Sequence, residues 1–363
     1  MPTNVSPEYK KAQDQYRKAR DPADRLRLLR EMLSTIPKHK GTEHLQADIK
    51  TKIKELTDEL AGPRKGAARG GPLQTIRPEG AAQIALLGPP NAGKSSLHRA
   101  LTGSRAEIGP YAFTTRAPLP GMLMHEDVPF QLVDLPPVSA DFMEPWLYNA
   151  LQPSHAALLV VDLHDPDCAE SVVAIRARLA HKRVTLTDNW QGRLPAGLVP
   201  ADWSPAASAS ADGAPRARTD DGEGELADPF RVLLPTLLLA TKADLGLDPA
   251  EVAALLELGG ARFPALAVSS LTGLGLGRLG PLLMRGLAIV RVYTKAPGKP
   301  PDHHRPYTLF AGDTVEDLAR LIHRDLAASL KFARVWGRSG KFEGQQVGRD
   351  HVLGEGDVVE IHA

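Results

Sequence analysis

Hydrophobic positions along the chain follow two rhythms. Between residues 7 and 60 they recur at helical spacing: Leu26, Leu29 and Leu33 are three and four apart, as are Ile49, Ile53 and Leu56, amid charges and helix formers with Gly41 the sole glycine. That spacing collects apolar side chains on one stripe and predicts two amphipathic helices divided at Ile36-Pro37. From about residue 81 to 288 the rhythm changes to short aliphatic runs (84–88, 130–135, 156–163, 233–240 and 265–269) separated by helical patterns. Continuous apolar strands are expected when both faces of a parallel sheet are covered by helices, so this stretch predicts an α/β doubly wound domain.

Two further zones complete the pattern. Residues 188–228 are rich in Ala, Pro, Ser, Gly and Asp without periodicity, and predict a disordered surface insertion that carries no chemistry. Residues 302–363 hold apolar segments at 307–310, 331–336 and 358–361, with one helix over 314–330, and predict a small β-rich module. The resulting division is an N-terminal helical segment 1–62, a linker 63–80 that continues the basic stretch GPRKGAARGG, an α/β domain 81–288 and a C-terminal domain 289–363.

Composition narrows the class. At about 150 residues per domain, 363 residues suggest two or three domains. Lys+Arg 44 against Asp+Glu 43 leaves a net charge of +1, so any nucleic-acid-binding surface has to be local. Cys168 is the single cysteine, which excludes an internal disulfide framework and a cysteine-based zinc site. No apolar run approaches the roughly 18 residues that span a bilayer, and MPTNVSPEYKKAQ has no apolar signal region. A cytoplasmic protein without a membrane partner is expected.

The strongest local signal is Gly88-Pro89-Pro90-Asn91-Ala92-Gly93-Lys94-Ser95, followed by Ser96. It fits G-x-x-x-x-G-K-[ST], follows an apolar strand and opens a helical stretch at 95–101. Glycines let the backbone wrap a polyphosphate, successive N–H groups and the helix N-terminus face its charge, and Lys94 reaches the β/γ oxygens. The Ser95 hydroxyl is a candidate Mg²⁺ ligand.

Thr241-Lys242-Ala243-Asp244 follows another buried run and has the [NT]-K-x-D pattern. The Asp244 carboxylate can accept from N1–H and the exocyclic amine of guanine together, a donor pair adenine lacks. The Lys242 stem would cover the base. Ser269-Ser270-Leu271, after the strand ending near Val268, is placed to offer a backbone N–H to guanine O6.

Between these motifs lie the elements expected to sense the γ-phosphate. One of Thr114 and Thr115 in IGPYAFTTRAPLPG, with Thr115 favoured, would complete the Mg²⁺ shell when a γ-phosphate is present, and Asp134 would hold the ion through water. The D-x-x-G pattern expected at Asp134 reads Asp134-Leu135-Pro136-Pro137, with Val138 next. Pro137 has no N–H and a fixed φ, so it can neither contact the γ-phosphate nor bend as a glycine does. Val138 cannot orient an attacking water. Asn91 is open to two readings, a K⁺ ligand between the phosphates or a residue suited to a turn.

With these motifs in order the chain resembles the Obg/DRG branch of GTPases, the developmentally regulated GTP-binding proteins and their prokaryotic relatives. Tyr111-Ala112-Phe113-Thr114-Thr115 is similar to that branch's Y-P-F-T-T, and IPKHKGTEHLQADIK over 36–50 to its helical leader. The C-terminal zone resembles a TGS domain, especially over 332–337 (FARVWG) and 347–353 (VGRDHVL). The resemblance implies a P-loop NTPase G domain with a mostly parallel sheet, helices on both faces and a β-grasp-like TGS domain behind it. It also implies GTP/GDP and Mg²⁺ as ligands, slow hydrolysis, K⁺ as a possible cofactor, and a ribosome, structured RNA or protein regulator as partner.

Other constellations weigh less. Lys10, Lys11, Arg17, Lys18, Lys38, Lys40, Lys50, Lys52 and Lys54 could touch RNA phosphates, but acids are interleaved among them and a solvated helical hairpin explains them equally. His303, His304 and His323 do not read as a metal site, because PDHHRP looks like a linker. Trp336 fits a core or β-grasp surface position better than a base-stacking one. The functional expectation is a GTPase switch, with a guanine-nucleotide-binding adaptor of little turnover as the alternative raised by Pro137.

Overall fold

The computed structural model describes residues 6–19, 22–37, 42–60, 76–104, 117–201 and 230–363. The described chain forms two compact units, one containing the N-terminal helices and residues 230–232, the other containing everything from residue 76 onward apart from these.

The first unit is built on three helices, α1 (Pro7–Lys18), α2 (Pro22–Thr35) and α3 (Glu43–Leu60). The leucine and isoleucine spacing predicts two. The extra helix is α1, whose start is fixed by Ser6: its hydroxyl accepts from the Tyr9 amide at 3.1 Å, and Pro7 occupies the first helical turn. Its inner stripe is Tyr9, Ala12 and Tyr16, an aromatic set rather than a leucine one, packed with Leu28, Leu29, Met32, Ile36, Ile49 and Leu56. Tyr16 meets Phe230 edge-on at 6.2 Å and accepts from Arg25. The unit therefore has a core of its own. Of the nine basic residues singled out, Lys38 and Lys40 lie outside the described residues, as do the side chains of Arg17 and Lys18; Lys52 pairs with Glu55 at 2.7 Å.

In the second unit β1 (Ala82–Leu87) leads into α4 (Lys94–Thr102), followed by β2 (Leu119–His125), β3 (Val128–Asp134), α5 (Leu147–Leu151), β4 (Ala156–Asp162), α6 (Cys168–His181), β5 (Val184–Thr187), β6 (Gly197–Leu198), β7 (Val232–Thr241), α7 (Pro249–Leu258), β8 (Pro264–Ala267) and α8 (Leu279–Gly286). Among the described residues the sheet runs β2-β3-β1-β4-β7-β8-β6, with β5 paired to β7. Only the edge pair β2–β3 is antiparallel along that path; β3, β1, β4, β7, β8 and β6 are parallel. Every residue of β1 and β4 is buried, as strands covered on both faces require.

Part of the 188–228 stretch is ordered, contrary to the expectation from composition. Trp190 is 4% exposed, donates Nε1–H to the Thr236 carbonyl at 3.3 Å and joins the sheet core, and β6 adds a strand beside β8. Val199 joins the same core and Leu194 packs against it, so three apolar side chains anchor a segment otherwise poor in them. Residues 202–229 lie outside the described residues.

The C-terminal module comprises β9 (Ile289–Thr294), β10 (Asp302–Phe310), α9 (Val315–Ile322), α10 (Arg324–Ser329), β11 (Phe332–Trp336), β12 (Gln345–Val347) and β13 (Asp357–His362), with sheet order β10-β9-β13-β11-β12 among the described residues. Its core gathers Val292, Leu309, Leu318, Ala333, Val335 and Val359. The single helix expected over 314–330 is two, because His323 is extended (φ −163°) and its ring nitrogen caps α10 by accepting from the Asp325 amide. PDHHRP is not a linker: His303 and His304 lie in β10, where the His303 ring packs on Tyr293. No group of three potential metal ligands occurs among the described residues.

Candidate nucleotide site

Parallel pairing sends the carboxyl ends of β1, β3, β4, β7 and β8 to one edge of the sheet, where α/β folds of this kind bind ligands. The register sets Leu86 beside Asp134, Leu87 beside Leu159, Asp162 beside Thr241 and Ala240 beside Ala267. Five loops therefore leave the sheet side by side. They carry the phosphate-loop motif, Asp134, Asp162, Thr241 to Asp244, and Ser269.

The loop after β1 is shaped by two glycines. A Cβ on Gly88 (φ +155°) would lie 2.3 Å from the Val160 carbonyl, so only glycine lets the loop cross so close to β4. Gly93 (φ +89°) is left-handed and starts α4, whose nine residues begin with Lys94. Asn91 is also left-handed (φ +62°), a conformation its short polar side chain tolerates, and it is exposed. Lys94 is 6% exposed and donates Nζ–H to the carbonyls of Gly88 (3.0 Å) and Pro89 (2.7 Å). Burial pushes its ammonium down to about 8, with the nearby Asp134 charge pulling the other way. The ammonium curls into its own loop and is held by neutral oxygens, which a polyphosphate can replace.

Ser95, one residue into α4, donates Oγ–H to Asp134 Oδ2 at 2.6 Å, and Asp134 is 1% exposed. A hydroxyl and a carboxylate in contact are hard oxygen donors of the kind Mg²⁺ takes, so the donor set fits that ion. His98, one turn further along α4, is fully buried. Its Nε2 faces the Leu132 carbonyl at 3.2 Å and Nδ1 faces Ser104 Oγ at 3.1 Å. A carbonyl only accepts, so Nε2 carries the proton; burial lowers the imidazole pKa against the pull of Asp134. His98 fastens α4 to β3 beneath the Ser95–Asp134 contact, a role the sequence analysis did not assign.

The segment after Asp134 is packed inward. Leu135, Pro136, Pro137 and Val138 are buried, and the Val138 amide donates to the Gly88 carbonyl at 3.1 Å, the same oxygen that receives Lys94. Thr115 and the whole of 105–116 lie outside the described residues.

On the other side, Thr241 is 5% exposed, and its Oγ1 lies 2.8 Å from the Ala92 carbonyl and 3.1 Å from that of Val161. That hydroxyl ties the phosphate loop to the T-K-x-D loop and to β4. Lys242 is left-handed (φ +58°) and its Nζ lies 2.6 Å from Asp162 Oδ2. Burial works against ionisation of Asp162, but Lys242 and the His164 amide hold its carboxyl below the usual range. Asp244 is exposed in a short helical turn, Ala243–Leu245, and the Ala243 amide reaches the Val268 carbonyl at 3.2 Å, bringing the Ser269 loop alongside. Ser269 is buried, and its Oγ accepts from the Leu271 and Thr272 amides; Ser270 and Leu271 face solvent. Asp162 was not singled out beforehand, although an acid closing a wholly apolar strand (AALLVVD) was the available signal.

A phosphate-type loop and a T-K-x-D loop bound to each other on one edge of a mostly parallel sheet define a P-loop GTPase domain, here followed by a second, β-rich module. The domain's family model, described as a 50S ribosome-binding GTPase, matches residues 83–188, and that of the TGS domain matches residues 290–363. GTP-binding protein 1 of Schizosaccharomyces pombe is 30% identical over 89% of this chain and 94% of its own. Developmentally-regulated G-protein 2 of Arabidopsis thaliana is 27% identical over 93% and 90%. Among solved structures, a GTP binding protein from Pyrococcus horikoshii covers 77% of this chain and 99% of its own at 17% identity and TM-score 0.47. The chain belongs to the developmentally regulated GTP-binding protein family, with a GTPase domain and a C-terminal TGS domain.

Proposed function

We propose that the protein is a Mg²⁺-dependent nucleotide switch of the cytoplasm that hydrolyses GTP slowly and addresses a ribosome or structured RNA through its helical and TGS modules. The observation that carries this reading is the Thr241–Ala92 hydrogen bond. It joins the loop that would hold the polyphosphate to the loop that would select the base, as one bound guanine nucleotide requires. In this reading Gly88, Pro89 and Pro90 shape the loop, and the amides of Asn91 to Ser96 together with Lys94 bind the phosphates. Asp244 accepts from the guanine edge, Lys242 covers the base, and the Ser269-Ser270-Leu271 backbone faces O6. Ser95 and Asp134 would hold Mg²⁺, with Thr115 joining when a γ-phosphate is present. When bound, the ion would supply positive charge that offsets the charge developing on the phosphates. Phosphoryl transfer needs positioning more than a general base, and no side chain here is assigned as one. Asn91, exposed and left-handed, is compatible with a K⁺ ligand as well as with a turn residue.

The partner rests on the family model's description and on the helical and TGS modules that flank the GTPase domain, and a protein regulator fits the same architecture. The buried Pro137-Val138 segment favours a second reading, a guanine-nucleotide-binding adaptor with little turnover, because nothing there can orient water. Calorimetry with GDP, GTP and ATP tests the binding reading: GDP and GTP are expected to bind and ATP not to compete, and equal competition by ATP would overturn it. Phosphate release measured in K⁺ and then in Na⁺ separates switch from adaptor, with no turnover in either salt selecting the adaptor. Co-sedimentation with ribosomes in GDP and in a non-hydrolysable GTP analogue tests the partner; equal pelleting removes the switch.

A further inference from the structure

An open groove of about 470 Å³ lies between the loop that follows Val138 and the C-terminal half of α6. Ala140 and Met143 form one wall, Ala177 belongs to the floor, and Arg178, His181 and Lys182 line the other side. The floor is made of small side chains, which leaves depth for an apolar group from outside. Val173, one turn before Ala177 on the same helix, is 48% exposed, and Phe142 beside Met143 is 40% exposed, so apolar surface continues past both ends.

The ionisable side chains that line the groove are of one kind, although Asp141 and Glu144 belong to the same loop as its Ala140–Met143 wall. All three ionisable lining residues are basic, His181 and Lys182 are exposed, and no carboxylate among the described residues pairs with either. Part of this is ordinary helix chemistry, since cations at a helix C-terminus complement its dipole. The groove adds a concave apolar floor beneath them. Arg178 also fixes the opposite wall, because its Nε donates to the Ala140 carbonyl at 2.7 Å and Nη2 donates to the same oxygen. Ser139 closes that wall as a tight turn, its amide donating to the Phe142 carbonyl at 2.9 Å and its Oγ accepting from the Phe142 amide at 3.1 Å. These hydrogen bonds fix the loop over 139–142 and tie it to α6.

We infer that this groove is a docking site for an acidic amphipathic segment of a partner protein, which sets an aliphatic or aromatic side chain on the alanine floor and its carboxylates on Arg178, His181 and Lys182. Helix-in-groove recognition uses this combination of an apolar anchor and flanking charges. The site is separate from the nucleotide-binding loops and does not depend on their assignment. It is well placed to feel them, since Ser139 follows directly after Val138, whose amide is bound to the phosphate loop.

The test is selection of a phage-displayed library of random peptides on the full-length protein. The triple variant Ala177→Trp, His181→Glu, Lys182→Glu serves as the counter-target. All three positions are exposed, so the fold should be retained, and circular dichroism verifies it. Peptides enriched on the wild type are expected to carry Asp or Glu next to a large apolar residue at helical spacing. A synthetic copy should bind by fluorescence anisotropy and lose at least about tenfold in affinity against the triple variant. Arg178 is left intact so that the Ala140 wall stays in place. No enrichment over the counter-target, enriched peptides without acids, or equal affinity for both proteins would each overturn the proposal. So would displacement of the peptide by a short single-stranded RNA, which would mark the cations as a nucleic-acid surface instead.

Discussion

The amide of Val138 donates to the carbonyl of Gly88 at 3.1 Å, and the ammonium of Lys94 donates to that same oxygen at 3.0 Å. One carbonyl of the phosphate loop therefore holds both the residue that would meet the phosphates and the segment that would report on them. With Pro137 immediately before it, this segment offers no second N–H toward a γ-phosphate.

Pro137→Gly restores a donor and a hinge at that position. A hydrogen bond to a charged oxygen contributes about 1.5 kcal/mol, roughly tenfold in affinity. GTP-analogue affinity is expected to rise by about that factor while GDP affinity stays within threefold, measured by calorimetry. A parallel rise for both nucleotides would mean that the proline acts through the rigidity of the Val138 tether and not through the missing donor.

Asp162→Asn removes the charge that positions Lys242 while keeping an acceptor for the His164 amide, which donates to Asp162 Oδ1 at 3.1 Å. Lys242 is half exposed, so global stability should change little. GDP affinity should fall about tenfold through loss of an ordered side chain over the base. Unaltered GDP affinity in a folded variant would show that Lys242 needs no partner to lie over the base.

How legible this site was in the sequence follows from such contacts. The phosphate loop and T-K-x-D could be read because each is a short contiguous string whose backbone conformation dictates its residues. His98 could not, because its role arises from a helix and a strand brought together by the fold, and in KSSLHRALT it is one polar residue among several; Asp162 showed only as an acid closing an apolar strand, with nothing to reveal its pairing to Lys242. The parallel sheet was visible in its aliphatic runs, while edge strand β2, with its alternating and half-buried LPGMLMH, carried too weak a signal. Helix α1 escaped because its stripe is Tyr9, Ala12 and Tyr16. The His323 break in the last helical stretch depends on a side-chain cap, which no periodicity encodes.

Arg291, in β9, connects the GTPase and TGS modules. Its Nη1 lies 2.6 Å from Glu126 Oε2 and 3.1 Å from Asp127 Oδ1 at the β2–β3 turn, while Nε lies 2.7 Å from Glu355 Oε1. Arg291→Met keeps the aliphatic stem and leaves three carboxylates facing one another. A loss of about 1 kcal/mol is expected, reduced by solvent because Arg291 is 26% exposed, and should appear as a fall in Tm of a few degrees. Amides around Glu126 and Asp127 should exchange faster with deuterium. Unaltered exchange there would show that the apolar packing of the modules, not the ion cluster, fixes the turn.

Lys94 makes nucleotide binding pH-dependent with a definite sign. In the free protein burial has brought its ammonium from 10.5 down to about 8, and the negative charge of a bound polyphosphate raises it again. Binding above pH 8 must therefore take up a proton, whereas well below pH 8 the lysine is already charged and binding takes up none. GDP affinity should be flat up to about pH 7.5 and then fall toward a limit of about tenfold per pH unit until the bound-state value is reached. Folding stability of the nucleotide-free protein carries the opposite slope from this group. Between pH 8 and 10.5 the unfolded chain holds the proton that the folded chain has lost, so stability rises with pH across that window and the contribution vanishes above it. Calorimetry at pH 8.5 in two buffers of different ionisation enthalpy measures the proton uptake directly. Lys94→Met supplies the baseline for every other titrating group, the guanine itself included, and should remove the lysine's share of both the uptake and the opposing stability slope. Equal uptake in wild type and Lys94→Met would assign the proton to another group and leave Lys94 charged throughout.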